Sequence, residues 1–361
     1  MTDLPPIQDD SDLPPLGRDP LREDGRRGKP VSFYLAIFLG LLLLVSAGLN
    51  LVLVAFSFVG SATSGLGGLD DSAYDIVSVA GDLDSEARVL RIPIQGAIAE
   101  QSSPLIGGAG GSVSSVERAL HFAARNESIK GILLDINSPG GGVTASDQIY
   151  QMLTDFRHEH PGKPIVALFG DLAASGGYYV AMAADYIVAH PTTTTGSIGV
   201  IMSQYNVAEA AEAIGVREVA IVSGPNKNLL SPFHGVDEGQ RAILQSIVDD
   251  LYDRFVDVVD QGRQELDLAQ VRRLADGRVY SARQALDEKL VDEVGYQAAA
   301  VAKLRELCGE SSIHVVEQRK QPSFTDLLMG ASAQSPLEGL VGSALSSAMS
   351  PSFLYWWPGA R

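Results

Sequence analysis

The sequence predicts an α/β domain with a parallel sheet, carried behind one transmembrane helix. Three observations predict it. Apolar strands and amphipathic helices alternate through short links from Arg88 onward, the pattern of parallel strands with helical crossovers. Two of those strands run into glycine turns, Gly140-Gly141-Gly142 and Gly176-Gly177. An uncharged stretch, Val31 to Leu69, stands ahead of the domain.

Composition bounds the function before any motif is read. The chain has 361 residues, 45% hydrophobic and 20% charged, enough to bury a sizeable core. Its formal net charge of -17 argues against a nucleic-acid partner, which needs a basic face. Cys308 is the only cysteine. That excludes an intrachain disulfide and a cysteine-built metal site, and no cofactor or metal is expected.

Residues 1–30 are rich in Asp, Pro, Arg and Gly without apolar periodicity and read as a disordered cytoplasmic segment. Residues 31–60 read as the anchor, since Phe33 to Val59 exceeds the roughly 20 residues that cross a bilayer core. Arg18, Arg22, Arg26, Arg27 and Lys29 precede it, and no basic residue follows until Arg88. This asymmetry keeps the N-terminus in the cytoplasm and places the rest across the cell (inner) membrane. A cleaved signal peptide is the competing reading, but its apolar region is about 7–15 residues. Residues 61–87, rich in Gly and Asp, read as a linker.

The domain spans 88–310. Val89 to Ile94 is a strand, and Pro93 assigns it to an edge or a strand end. Val113 to Asn126 is a helix with Val116, Leu120 and Ala123 on one face. Gly131 to Ile136 and Pro164 to Phe169 are buried strands, with a helix over Ala145 to Phe156 between them. Tyr178 to Ala184 is helix-like and Tyr186 to Ala189 a short strand. Asn206 to Ile214 reads as a helix, Glu218 to Val222 as a strand, and Asp237 to Gln264 as a long helix with an acidic first turn. Shorter helices follow over Leu268 to Leu274, Ser281 to Glu288 and Gln297 to Leu307. Residues 311–361 hold a last strand near Ile313 to Glu317 and a flexible tail ending FLYWWPGAR. Three placements stay open for its aromatic end: a membrane interface, a docked partner, or an unstructured terminus.

Ser175 opens the helix-like run and is followed by two glycines. A hydroxyl there lies near free backbone amides, which suits a nucleophile beside an oxyanion site. Taken alone, the residue reads as a helix cap. The two glycine turns lack the spacing of a dinucleotide fingerprint or a phosphate loop. A base is also needed. Of His121, His158, His160, His190, His234 and His314, only His234 lies in a glycine/proline loop far along the fold, so a serine–histidine–aspartate set has weak support. Lys227 is the stronger candidate, because no carboxylate occurs from Val219 to Val236 to hold it charged. A free lysine has a pKa of about 10.4, and desolvation lowers it by several units.

INSPGGG at Ile136–Gly142, AASGGYYVAMAADYIVA at Ala173–Ala189, TGSIGV at Thr195–Val200 and SGPNKNLLSPF at Ser223–Phe233 resemble the signal peptide peptidase A family. The match runs from about Arg88 to Cys308 in a single copy, like the short, single-domain branch. The resemblance implies an α/β fold of the Clp-protease/crotonase type, built of stacked ββα units, and makes 88–310 a serine–lysine peptidase domain. It implies Ser175 as nucleophile, Lys227 as general base, Ser197 orienting the lysine, and the amides of Gly176 and Gly141 as the oxyanion hole, with Gly140 the alternative to Gly141. It implies a homo-oligomeric ring, an octamer in this branch, with sites at subunit seams. The implied substrates are cleaved signal peptides and other short or unfolded membrane-associated segments, cut after small or apolar residues. The Ala/Ser-rich tail resembles such a substrate and is expected to thread into a site. Two rivals remain: a crotonase-like acyl-CoA enzyme, and a peptide-binding ring scaffold that does not cut.

Overall fold

The computed structural model describes residues 33–34, 38–48, 50–51, 74–100, 111–321 and 353–356. The chain divides into two compact units, Met1–Gly68 and Leu69–Arg361. In the first, residues 38–48 form a helix with exposed apolar side chains such as Leu43 and Leu44. Among the described residues no helix is long and apolar enough to cross a membrane. The expected anchor over 31–60 lies partly outside the described residues, and the expected disordered segment over 1–30 lies wholly outside them.

The second unit begins with β1 (Tyr74–Gly81), β2 (Arg88–Gln95), α1 (Ser112–Arg125), β3 (Ile129–Ser138), β4 (Gly140–Gly142), α2 (Val143–Glu159), β5 (Ile165–Ala174) and α3 (Gly176–Ala181). It continues with β6 (Tyr186–Ala189), β7 (Thr194–Gly196), β8 (Ile201–Met202), α4 (Ala208–Ala213), α5 (Glu238–Gly262) and α6 (Leu268–Leu274). The last elements are β9 (Val279–Ser281), α7 (Ala282–Asp287), β10 (Glu293–Val294), α8 (Gln297–Cys308), β11 (His314–Lys320) and β12 (Phe353–Trp356). The main sheet runs β1-β11-β2-β3-β5-β6-β10, with β7 beside β5 and β9 beside β7. Its centre is parallel: β2 with β3, β3 with β5, and β5 with β6. A small second sheet orders β4-β12-β8. This is the mixed α/β architecture that the strand–helix alternation predicts.

The core explains why the central strands read as unbroken apolar runs. Ile132, Leu133 and Leu134 of β3 are all fully buried, because the sheet is covered on both faces. Ile132 and Leu134 belong to a cluster with Val116, Leu120 and Ala123 of α1 and Ile149 and Leu153 of α2. Leu133 belongs to the opposite cluster, with Ala300 and Leu304 of α8. Each such large side chain contributes about 1.5–3 kcal/mol by leaving water. The acidic start expected for α5 is a cap: the Asp237 carboxylate accepts from the Gln240 amide at 2.8 Å.

Four expectations change. The stretch expected as a linker over 61–87 contains β1, which pairs antiparallel with β11. Glu218 to Val222 is not a strand; among the described residues no strand pairs with it, and Val219 and Ile221 stand 87% and 99% exposed. The helix expected over Asn206 to Ile214 is shortened to Ala208–Ala213. The tail, expected to be flexible, contains a strand, β12 over Phe353–Trp356. Pro93 lies in an interior strand, yet β11 pairs with β2 only as far as Arg91. Its missing N–H therefore falls beyond that neighbour's end.

Candidate active site

The site forms where β3 and β5 end, at the carboxyl edge of the parallel sheet. Asn137 ties these ends together by accepting from the Leu172 amide at 3.1 Å. β7 runs beside the last residues of β5, pairing Ala174 with Gly196. Thr195 secures that pairing by donating to the Ala173 carbonyl at 2.6 Å. Two chain segments are thus fixed on either side of Ser175.

Ser175 joins β5 to α3 with φ 54° and ψ -117°. A left-handed φ on a non-glycine residue costs on the order of 1–3 kcal/mol and clusters where geometry serves function. Its amide donates to the Gly196 carbonyl at 2.8 Å and its carbonyl accepts from Tyr179 at 2.8 Å. Its hydroxyl does not cap α3. The Oγ is buried without a hydrogen-bond partner among the described residues, although buried hydroxyls are ordinarily paired. The capping role that the sequence suggests is therefore absent.

The two glycine turns meet at this hydroxyl's neighbour. A Cβ on Gly176 would fall 3.1 Å from both the Gly140 Cα and the Gly141 amide nitrogen, and 2.5 Å from Ser146 Oγ. Gly140 has φ 99°, and its amide donates to Ser138 Oγ at 3.1 Å, so it has a partner of its own. In β4 the Gly140 carbonyl accepts from Ile98 and the Gly142 amide donates to Ile98, each at 2.9 Å. Groups alternate along a strand, so the Gly141 amide faces the other edge, toward β12. The arrangement favours Gly141 over Gly140 as the donor beside Gly176.

Ser197 follows Gly196 directly and also has a left-handed φ, 51°. Its amide donates to the Arg278 carbonyl at 2.8 Å. It is 6% exposed, and its hydroxyl has no hydrogen-bond partner among the described residues. The structure therefore brings Ser175, Gly176, Gly141 and Ser197 into one neighbourhood.

Lys227 stands apart from them. It lies in a turn-rich segment and is exposed, and its ammonium makes no hydrogen bond or ion pair among the described residues. Glu218, one position before Val219, accepts from Ser231 Oγ and, at 3.3 Å, from Asn228 Nδ2, binding the lysine's own loop. None of the histidines bonds to Ser175. His190 contacts Thr192 at 2.7 Å, His234 contacts Asn228 at 3.2 Å, and His314 contacts Ser78 at 2.8 Å.

A pocket beside the glycine turns was not visible in the sequence. Tyr179, one turn past Ser175, hydrogen-bonds Asp147, which pairs with Arg254 at 2.9 Å. Burial and the bond to Asp147 hold the Tyr179 phenol well above the usual range, so it stays neutral. Its ring packs edge-on to Phe255 at 5.0 Å and stacks on Tyr355 of β12 at 4.9 Å.

Comparisons with known proteins bear on the family. The model of peptidase family S49 matches residues 157–310, and that of Clp protease matches 109–204. A putative protease of Synechocystis is 37% identical over 213 residues, covering 59% of this chain and 72% of its own length. The chain belongs to the signal peptide peptidase A family. A putative signal peptide peptidase SppA of Enterococcus faecium is 41% identical over 180 residues, 50% of this chain and 52% of its own. Protease 4 of Haemophilus influenzae is 32% identical over 239 residues, 66% of this chain but 38% of its own. The matched region thus spans about half of the Enterococcus protein and less of Protease 4.

Proposed function

We propose that this chain is a membrane-anchored serine endopeptidase that degrades cleaved signal peptides and other short or unfolded membrane-associated segments. The observation that carries the reading is Ser175: a buried, unpartnered hydroxyl at a left-handed φ, next to two glycine turns. A hydroxyl kept free of partners is available to attack. In this reading the Gly176 and Gly141 amides receive the charge that develops on the substrate carbonyl oxygen.

In this reading, Lys227 takes the Ser175 proton, and the oxygen adds to the peptide carbonyl. The leaving amine takes a proton from Lys227, and an acyl-enzyme remains. A water activated by the same amine then releases the acid and frees Ser175. Ser197 orients the lysine. The base must be uncharged to act, which desolvation favours, so this reading places Lys227, exposed in the single chain, under a neighbouring copy. The segment carrying it also exposes Ile214 at 78%, Val219 at 87% and Ile221 at 99%, apolar surface suited to a neighbouring copy. A homo-oligomeric ring, octameric in this branch, would bring each Lys227 to an adjoining Ser175.

The acyl-CoA reading uses paired amides too, but gives no role to a strained serine with a free hydroxyl. The scaffold reading gives it none either. A fluorophosphonate probe tests the choice: it should label Ser175 in the wild type and leave Lys227→Ala unlabelled. Equal labelling of both forms would remove the lysine from the mechanism.

A further inference from the structure

Three glycines in a row, Gly140 to Gly142, leave the backbone freer than other residues would. An oxyanion site needs the opposite, donors already aimed before charge develops. Groups outside the glycines must therefore hold the turn. Part of the hold is main chain: Ile98 donates to the Gly140 carbonyl and accepts from the Gly142 amide, each at 2.9 Å. The rest comes from two hydroxyls. Ser138 Oγ accepts from the Gly140 amide at 3.1 Å. Ser146 Oγ donates to the Gly142 carbonyl at 2.9 Å. Among the described residues, no other side chain hydrogen-bonds the main chain of this turn. Gly141 sits between two clamped neighbours.

Stability alone would not choose these serines. Both are fully buried, and burying a hydroxyl costs free energy that its hydrogen bond only offsets. Ser146 lies in the first turn of α2 and bonds back to the carbonyl four residues earlier, a contact that slightly destabilises a helix. Alanine is the better helix former there. Yet the Ser146 oxygen abuts Gly176, since a Cβ on that glycine would fall 2.5 Å from it. Ser138 ends β3, and its carbonyl oxygen lies 2.9 Å from where a Cβ on Gly177 would stand. Each serine thus clamps the first glycine turn and meets one glycine of the second.

We infer that Ser138 and Ser146 are positioning residues that set the oxyanion site. Ser138 holds the Gly140 amide inward, so that the Gly141 amide is the one presented. Ser146 fixes the Gly142 carbonyl and the spacing between the two turns. The inference rests on the serine-peptidase reading. Each hydroxyl acts through a glycine, so its loss misaims a donor rather than removing one. The charged transition state depends on that aim far more than the bound substrate does. A misaimed donor therefore lowers kcat and leaves KM near its wild-type value.

The test compares full-length wild type, Ser138→Ala and Ser146→Ala, purified in detergent. The probes are the coumarin amide of the peptide Ala-Ala-Leu, the matching peptide aldehyde and the matching peptide alcohol. Ser175 Oγ adds to the aldehyde carbon, its proton ends on the hemiacetal oxygen, and that oxygen occupies the oxyanion position. The alcohol has no carbonyl and reports binding alone. Each variant should lose about 10- to 100-fold in kcat and in aldehyde affinity, with KM and alcohol affinity within about twofold of wild type. An undiminished kcat overturns the inference. So does an equal fall in affinity for aldehyde and alcohol, the mark of general damage to the pocket. A wild type that cleaves no peptide and takes no fluorophosphonate overturns the peptidase reading, and the inference with it.

Discussion

Gly140 and Gly176, 36 positions apart in sequence, approach until a single methyl group on Gly140 would sit 2.6 Å from the Gly176 amide nitrogen. Neither glycine is there for flexibility alone. In the proposed mechanism the space over Gly140 is where a substrate oxygen would meet that amide, and a side chain would fill it.

Gly140→Ala should therefore disable the site without unfolding the domain. The added Cβ is backed by main-chain atoms that do not move aside, and φ 99° penalises any side chain. Blocking the Gly176 amide, a proposed oxyanion donor, should lower turnover by about 100- to 1000-fold. Peptide hydrolysis measured beside far-ultraviolet circular dichroism checks this, with the spectrum expected to match the wild type.

A second prediction concerns stability far from the chemistry. Arg263 is 7% exposed and pairs with Asp292 through two bonds of 2.8 and 3.0 Å. Asp292 also accepts from the Ile187 amide at 2.7 Å, so one carboxylate joins α5 to β6. Asp292→Ala would leave a buried guanidinium unpaired, at a cost of about 3–5 kcal/mol. A urea titration should show the midpoint fall; an unchanged midpoint would mean that the pair contributes nothing.

Cys308 supplies a third. Its thiol donates to the Lys130 carbonyl at 3.3 Å, and burial raises its pKa to about 11. At pH 7.5 the thiolate, the reactive form, is scarce. Iodoacetamide should alkylate the native chain slowly there and faster as pH rises toward 11. Rapid modification at pH 7.5 would show that the thiol is not held in this environment.

Much of the site was legible because its chemistry is local. Glycines after apolar strands, and a serine between them, announce a turn whose backbone must come close to something. The central strands were legible for a related reason: burial on both faces leaves no polar residue to break Ile132-Leu133-Leu134. β1 was hidden because it lies at the sheet edge. Its exposed residues alternate weakly, and its partner, β11, is more than two hundred positions away. β12 was hidden by the low-complexity sequence before it. Its aromatic residues mark it only when Tyr179 and Phe255 are seen waiting in space. The strand expected over Glu218 to Val222 failed for the opposite reason. Its residues favour β structure, but a strand needs an edge, and this chain offers none there.

The most direct test of the account is complementation between two inactive chains. Ser175→Ala supplies lysines without nucleophiles, and Lys227→Ala supplies nucleophiles without bases. If each site takes its lysine from a neighbour in a closed ring, equal random co-assembly rebuilds about one site in four. Peptide hydrolysis should then return to about a quarter of the wild-type rate. Chains that demonstrably co-assemble yet remain as inactive as either parent would contradict a Ser175–Lys227 site shared between subunits.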